Sequence, residues 1–235
     1  MKQRIKTFLA SGLLVLALFG TAVAGPLDDA KAAAERGDFA TVLRILGPLA
    51  DQGNAEAQFD LGVIYEKGQG VPQDYAQAVA WYRKAADQGN AIAQAIVGLM
   101  YFTGSFSHQG VPQDDAQGVA WYRMAADQGN ADAQATLGEA YTKGRWGVPQ
   151  DYAQGVAWYR RAADQGNGYA QYVLGVMYEQ GKGVPQDYVR AHMWFNLAGA
   201  SDTSDAVKSR DLVAAKMTPA QIAEAQRLAS EWKPK

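Results

Sequence analysis

Two histidines, His108 and His192, no cysteine and 24 Asp and Glu side chains are the stock of metal-ligating and acid–base groups in this 235-residue chain. The lack of cysteine removes disulfides, thiolate catalysis, cysteine-ligated zinc and a lipidated N-terminal cysteine together. No glycine-rich loop ends in Lys-Ser/Thr to cradle phosphate, and no G-x-S-x-G, H-E-x-x-H or D-x-D-x-D-G run is present. Ser230-Glu231-Trp232-Lys233 has the S-x-x-K spacing of acyl-transfer serines, but stands at the C-terminal end without an S-D-N or K-T-G partner. The carboxylates are spread through the chain, so no pair is marked for glycoside hydrolysis. His192 falls in the register of Val79, Val119 and Val156, which reads as a hydrogen-bonded histidine on a packing face. The expectation is a protein with no cofactor, no metal and no catalytic residues.

What these side chains sit on is legible from composition and repetition. With 22 basic against 24 acidic residues, 48% hydrophobic and 11% aromatic, the chain can bury a core and is a poor nucleic-acid binder. Residues 1–24 read as an export signal: Lys2, Arg4 and Lys6, an apolar run from Phe8 to Phe19, then Ala22-Val23-Ala24 as a cleavage site. That run is shorter than the roughly 20 apolar residues a spanning helix needs, so no membrane span is expected after cleavage. Cleavage before Gly25 would leave 19 basic against 24 acidic residues, a net charge of −5.

The rest is repetitive. Ala-Asp-Gln-Gly-Asn ends at Asn54, Asn90, Asn130 and Asn167; Val-Pro-Gln-Asp begins at Val71, Val111, Val148 and Val184. Trp-Tyr-Arg begins at Trp81, Trp121 and Trp158, with Trp194-Phe195-Asn196 in the same register. Units starting at Ala55, Ala91, Ala131 and Gly168 are spaced by 36, 40 and 37 residues, the period of a helical-pair solenoid. Within a unit, Asn54 suits the N-cap and Gly68 the left-handed end of a first helix; Asp74, with Gln77 three residues on, suits the N-cap of a second. Gly62, Gly98, Gly138 and Gly175 recur mid-helix at a cost of about 1 kcal/mol each relative to Ala, which close helix approach would offset. The recurring tyrosines (Tyr65, Tyr101, Tyr141, Tyr178) and tryptophans read as packing between repeats.

Units of A-x-A-Q-x-x-L-G-x-x-Y-x-x-G, then GVPQDY, then A-x-W-Y-R-x-A-A-D-Q-G-N resemble Sel1-like repeats, a variant class of tetratricopeptide repeat. The second unit departs with Val97 for Leu61, Asp115 for Tyr75 and four extra loop residues; the fourth has Met193, Phe195 and Asn196 where Ala, Tyr and Arg recur. The resemblance implies an all-α, right-handed superhelical solenoid of antiparallel helix pairs, with first helices lining a concave groove that takes protein partners. The divisions are a signal at 1–24, a divergent capping pair at 25–54, repeats at 55–90, 91–130, 131–167 and 168–201, and capping helices at 202–235. Pro48 is expected to kink or shorten its helix, and the C-terminal helices are expected at 204–216 and 219–232.

Variation between repeats points to the binding surface. Positions three, four, seven, eight and eleven of each first helix recur, whereas two, five, six and nine change and form one stripe. These are Glu56, Phe59, Asp60 and Val63; Ile92, Ala95, Ile96 and Leu99; Asp132, Ala135, Thr136 and Glu139; and Tyr169, Tyr172, Val173 and Val176. Either the stripe recognises a partner segment with alternating apolar and basic residues, or positions five and nine pack on the neighbouring pair and vary in compensation. Phe106, His108, Arg145 and Trp146 mark a second candidate surface on the loops, with a loop folded on its own aromatics as the alternative. The expected function is a monomeric, exported, periplasmic or secreted bacterial protein that binds another protein or peptide as an adaptor, regulator or assembly factor. The alternatives are a cell-wall glycan- or peptidoglycan-associated binding protein or weak hydrolase, and a self-associating structural protein.

Overall fold

In the computed structural model, which describes residues 25–104, 112–200 and 204–235, the chain is all helix. The described residues form twelve helices and no strand. A capping pair, α1 (Pro26–Glu35) and α2 (Phe39–Asp51), leads into four pairs: α3 (Ala55–Lys67) with α4 (Tyr75–Asp87), α5 (Ala91–Thr103) with α6 (Asp115–Asp127), α7 (Ala131–Lys143) with α8 (Tyr152–Asp164), and α9 (Gly168–Gln180) with α10 (Tyr188–Ala200). Two further helices, α11 (Ser204–Ala214) and α12 (Pro219–Glu231), close the chain.

Cap chemistry sets the boundaries. The Asn54, Asn90, Asn130 and Asn167 side chains accept from the backbone N–H three residues on, as do Asp74, Asp114, Asp151 and Asp187 at the second helices. Gly68 ends α3 at φ 67°, a conformation that costs a side-chain-bearing residue. The Val-Pro-Gln-Asp strap is then pinned back over α3: Gln73 Nε2 donates to the Glu66 carbonyl at 2.7 Å and Asp74 N to the Tyr65 carbonyl at 2.9 Å. The expected shortening at Pro48 does not occur. α2 runs 13 residues like its counterparts: Pro48 gives up its own N–H bond, but its carbonyl still accepts from Gln52 N at the end of the helix. The C-terminal helices end at Ala214 and Glu231, short of the expected 216 and 232. Thr218 N donates to Gln221 Oε1 and Gln221 N to Thr218 Oγ1, the capping box its sequence indicated.

Each pair packs on the next, so the core is a series of four apolar clusters. The recurring glycines explain the close approach within pairs: a Cβ on Gly62, Gly98 or Gly138 would lie 2.6–2.8 Å from the buried ring of Tyr82, Tyr122 or Tyr159, and one on Gly175 2.5 Å from Phe195. Polar ties cross the repeats. Gln58, Gln94, Gln134 and Gln171, all buried, donate to the carbonyls of Ala50, Ala86, Ala126 and Ala163 at the end of the preceding pair. Arg83, Arg123 and Arg160 donate to the hydroxyls of Tyr101, Tyr141 and Tyr178 in the next. At the C-terminal end α11 and α12 both pack on α10, and Lys235 bonds Asp164 through its backbone N and its Nζ.

Candidate partner-binding site

The variable stripe divides in two. Position two is the open row: Glu56, Ile92 and Asp132 are exposed, Ile92 by 50%, and Tyr169 is half-buried. Position six, Asp60, Ile96, Thr136 and Val173, is half-buried beside it. Positions five and nine are packed. Ala95, Ala135 and Glu139 are buried, Phe59 and Val63 lie against the cluster around Tyr82, Leu99 against that around Tyr122, and Tyr172 and Val176 against that around Phe195. The Phe59 and Tyr172 rings sit 5.8 and 5.7 Å from those of Tyr82 and Phe195. Tyr169 meets Tyr159 edge-on at 6.1 Å.

The carboxylates differ in their surroundings. Glu56 is paired with Lys31 of α1 at 2.8 Å. Glu139 is held by Lys143 at 2.6 Å and Arg145 at 3.3 Å, so it is not an open groove acid. Asp132 accepts from Asn167 Nδ2 at 2.9 Å while the Asn167 Oδ1 caps α9; burial raises the Asp132 pKa against that bond. Asp60 has no hydrogen bond or ion pair among the described residues, and burial, with the Glu56 charge behind it, pushes its pKa up to about 6.

The Asp60 shift has a stability consequence. A carboxyl whose pKa is raised on folding favours the folded state most below its unfolded value, and that contribution is lost as pH rises through the folded value. Asp60→Asn removes the titration. The variant is expected to match the parent below about pH 4 and to exceed it above pH 7 by about 1–2 kcal/mol after discounting for partial exposure. Urea denaturation at pH 4 and 7.5 measures the difference; equal gains at both would contradict the assignment.

The loop candidates part company. Phe106 and His108 lie outside the described residues. Trp146, at φ 57°, is half-buried and stacks on Phe102 of the preceding pair at 4.2 Å, while Arg145 points its charge at Glu139. Trp146 is therefore committed to packing between repeats. His192 is 3% exposed on α10, as its register implied, but its Nδ1 has no hydrogen-bond partner among the described residues. Burial and the Arg210 charge hold its pKa low. Ser230 donates to the Arg227 carbonyl on the surface of α12. Lys31 and Asn167, which settle the character of two groove acids, were not marked by the sequence: Lys31 lies before the repeats, and Asn167 recurs for capping alone.

The Sel1 repeat family model matches residues 55–90, 91–130, 131–167 and 168–202. The chain is 32% identical to a protective antigen present in uropathogenic Escherichia coli strains, a structure with an SLR fold, over 89% of its own length at a TM-score of 0.73. It spans 45% of that longer chain. It is 29% identical to a Sel1 repeat protein from Oxalobacter formigenes, covering 92% of this chain and 88% of that one, at a TM-score of 0.71. No curated protein matches the chain. Both solved structures share its stacked helix pairs, and with four consecutive units matched between residues 55 and 202 the chain belongs to the Sel1 repeat family.

Proposed function

We propose that the chain is exported and binds another protein or peptide through the groove of its first helices, as a non-enzymatic adaptor, regulator or assembly factor. The observation that carries the reading is the split stripe. Positions five and nine vary and pack inward, so their changes belong to the core, whereas the open row changes from Glu56 to Ile92 to Asp132 to Tyr169 toward the surface. A surface kept only for packing needs no exposed Ile92, and water-facing isoleucine beside half-buried Ile96 costs solubility without gain unless something covers it. Helical-repeat solenoids offer such extended faces to partner chains. The export half rests on the basic, apolar and small-residue sequence of residues 1–24, and the similarity to a protective antigen is consistent with it. Among the described residues no helix is long and apolar enough to cross a membrane.

Two measurements test the two halves. N-terminal sequencing of the protein from fractionated cells is expected to begin at Gly25 in the periplasmic or secreted fraction; an intact Met1 terminus in the cytosol would overturn export. Affinity capture with the purified protein beside its Ile92→Glu variant, altered at the exposed position of the row, is expected to lose a partner from the variant alone, at unchanged helicity by circular dichroism. Identical captures would place binding elsewhere. If neither captures anything and the isolated protein sediments as a dimer, self-association takes the place of partner binding.

A further inference from the structure

The open row holds two kinds of acid. Glu56 and Glu139 are each neutralised within the chain, by Lys31 and by Lys143 with Arg145. Asp60 and Asp132 have no cation within ion-pair distance among the described residues; Asp60 is half-buried, and Asp132 is exposed and accepts from Asn167. Register places the apolar residues between them. Along position six Asp60 is followed in the next repeat by Ile96, and along position two Asp132 is preceded by Ile92. Two carboxylates without an ion pair of their own therefore flank an aliphatic step that is half exposed at Ile92.

We propose that the row from α3 to α7 seats an extended segment of a partner protein carrying a basic side chain at each end, one on Asp60 and one on Asp132, with aliphatic side chains between them over Ile92 and Ile96. This rests on the groove reading above and narrows it to a partner chemistry. Packed helices lie 8–10 Å apart, so two repeat steps separate the carboxylates by roughly 16–20 Å, the reach of about five to six extended residues. Alternate side chains of such a segment face the same side, which sets aliphatic residues against the isoleucines while the ends reach the acids. Desolvation that makes half-buried Asp60 costly as a free carboxylate makes its charge-assisted bond to Lys or Arg stronger than the one at exposed Asp132. An acidic segment, or a nucleic acid, would bring like charge to both ends of the row.

The test is fluorescence anisotropy of the purified protein with a labelled Arg-Ser-Leu-Ser-Leu-Ser-Arg peptide, the same peptide ending in Glu, and one with Ser for both Leu. The Arg-ended peptide is expected to bind, the Glu-ended one not, and the Ser-substituted one more weakly. Asp60→Asn and Asp132→Asn are each expected to weaken the Arg-ended peptide about 5–10-fold and to flatten its salt dependence. Equal binding of the Glu-ended peptide, or unchanged affinity in both Asn variants, overturns the proposal. A random peptide library displayed against the protein separates this failure from failure of the groove itself. Binders lost on Ile92→Glu but lacking basic ends leave the groove standing and remove the charge pattern. No binder from either source removes both.

Discussion

Gly98→Val is expected to cost about 2–3 kcal/mol and lower the melting temperature by roughly 5–10 °C, whereas Gly47→Ala is expected to be neutral within about 0.5 kcal/mol, its propensity gain offset by the Pro48 ring beside the new Cβ. Both glycines are helical and both forgo helix propensity, so propensity alone predicts a gain at each. They differ in what a side chain would meet. A Cβ on Gly98 would stand 2.6 Å from Cδ2 of Tyr122 and 3.1 Å from the Gly118 carbonyl oxygen, and Gly118 is itself capped by the Phe102 ring. Tyr122 is 2% exposed, so its ring has nowhere to move without opening the cluster that joins the second and third repeats. A Cβ on Gly47 would meet nothing within 4 Å beyond its chain neighbours, of which Pro48 is one. Because a solenoid is stabilised by neighbour contacts, the damage should appear first as lost amide hydrogen-exchange protection in α5 and α6. A Gly98→Val protein as stable as its parent would show that the glycine is not there for the ring.

The same contact explains how much of the molecule was readable in advance. Helix ends were legible to the residue at α3, because Asn54 and Gly68 are cap types with a local mechanism, and local chemistry does not depend on what lies across the core. The mid-helix glycines were legible as close approaches since their recurrence demanded a compensation, though the ring that fills each notch was not. The stripe was legible as a set of sixteen positions, and its division, with positions five and nine packed, was one of two readings the sequence left open. Whether a side chain at position five packs or opens depends on its size beside a fixed ring: Ala95 disappears beneath its neighbours while Phe59 leans on Tyr82. Glu139 looked like a groove acid because nothing local marks Arg145, six residues on and beyond the end of the helix, as its partner. Trp146 looked like a loop aromatic because its contact, Phe102, lies in the preceding unit across the insertion. At Pro48 the rule about helix interiors leads to a shortening that the helix does not show: the proline forgoes its own N–H bond, and the helix still runs to Asp51.

Gln134 offers the second large effect, and it tests whether polar ties or apolar packing hold consecutive repeats. Its side chain is 4% exposed, donates from Nε2 to the Ala126 carbonyl at 3.0 Å and accepts at Oε1 from Gln165 at 2.8 Å, joining the end of α6, the body of α7 and the end of α8. Replacing it by Leu, of similar volume, removes two buried hydrogen bonds and is expected to cost about 2 kcal/mol. Gln134→Ala adds a cavity and is expected to cost about 3 kcal/mol. Gln171 occupies the same register in the fourth repeat and donates to the Ala163 carbonyl, but its buried Oε1 has no hydrogen-bond partner among the described residues. Gln171→Leu gives up one hydrogen bond while relieving one desolvated acceptor, so it is expected to be neutral within about 0.5 kcal/mol. Urea denaturation of the two Leu variants measures the difference directly. Equal losses would mean that the Nε2 bond to the preceding carbonyl, common to both, carries the contact; a loss confined to Gln134 would assign it to the amide chain that runs from one repeat to the next.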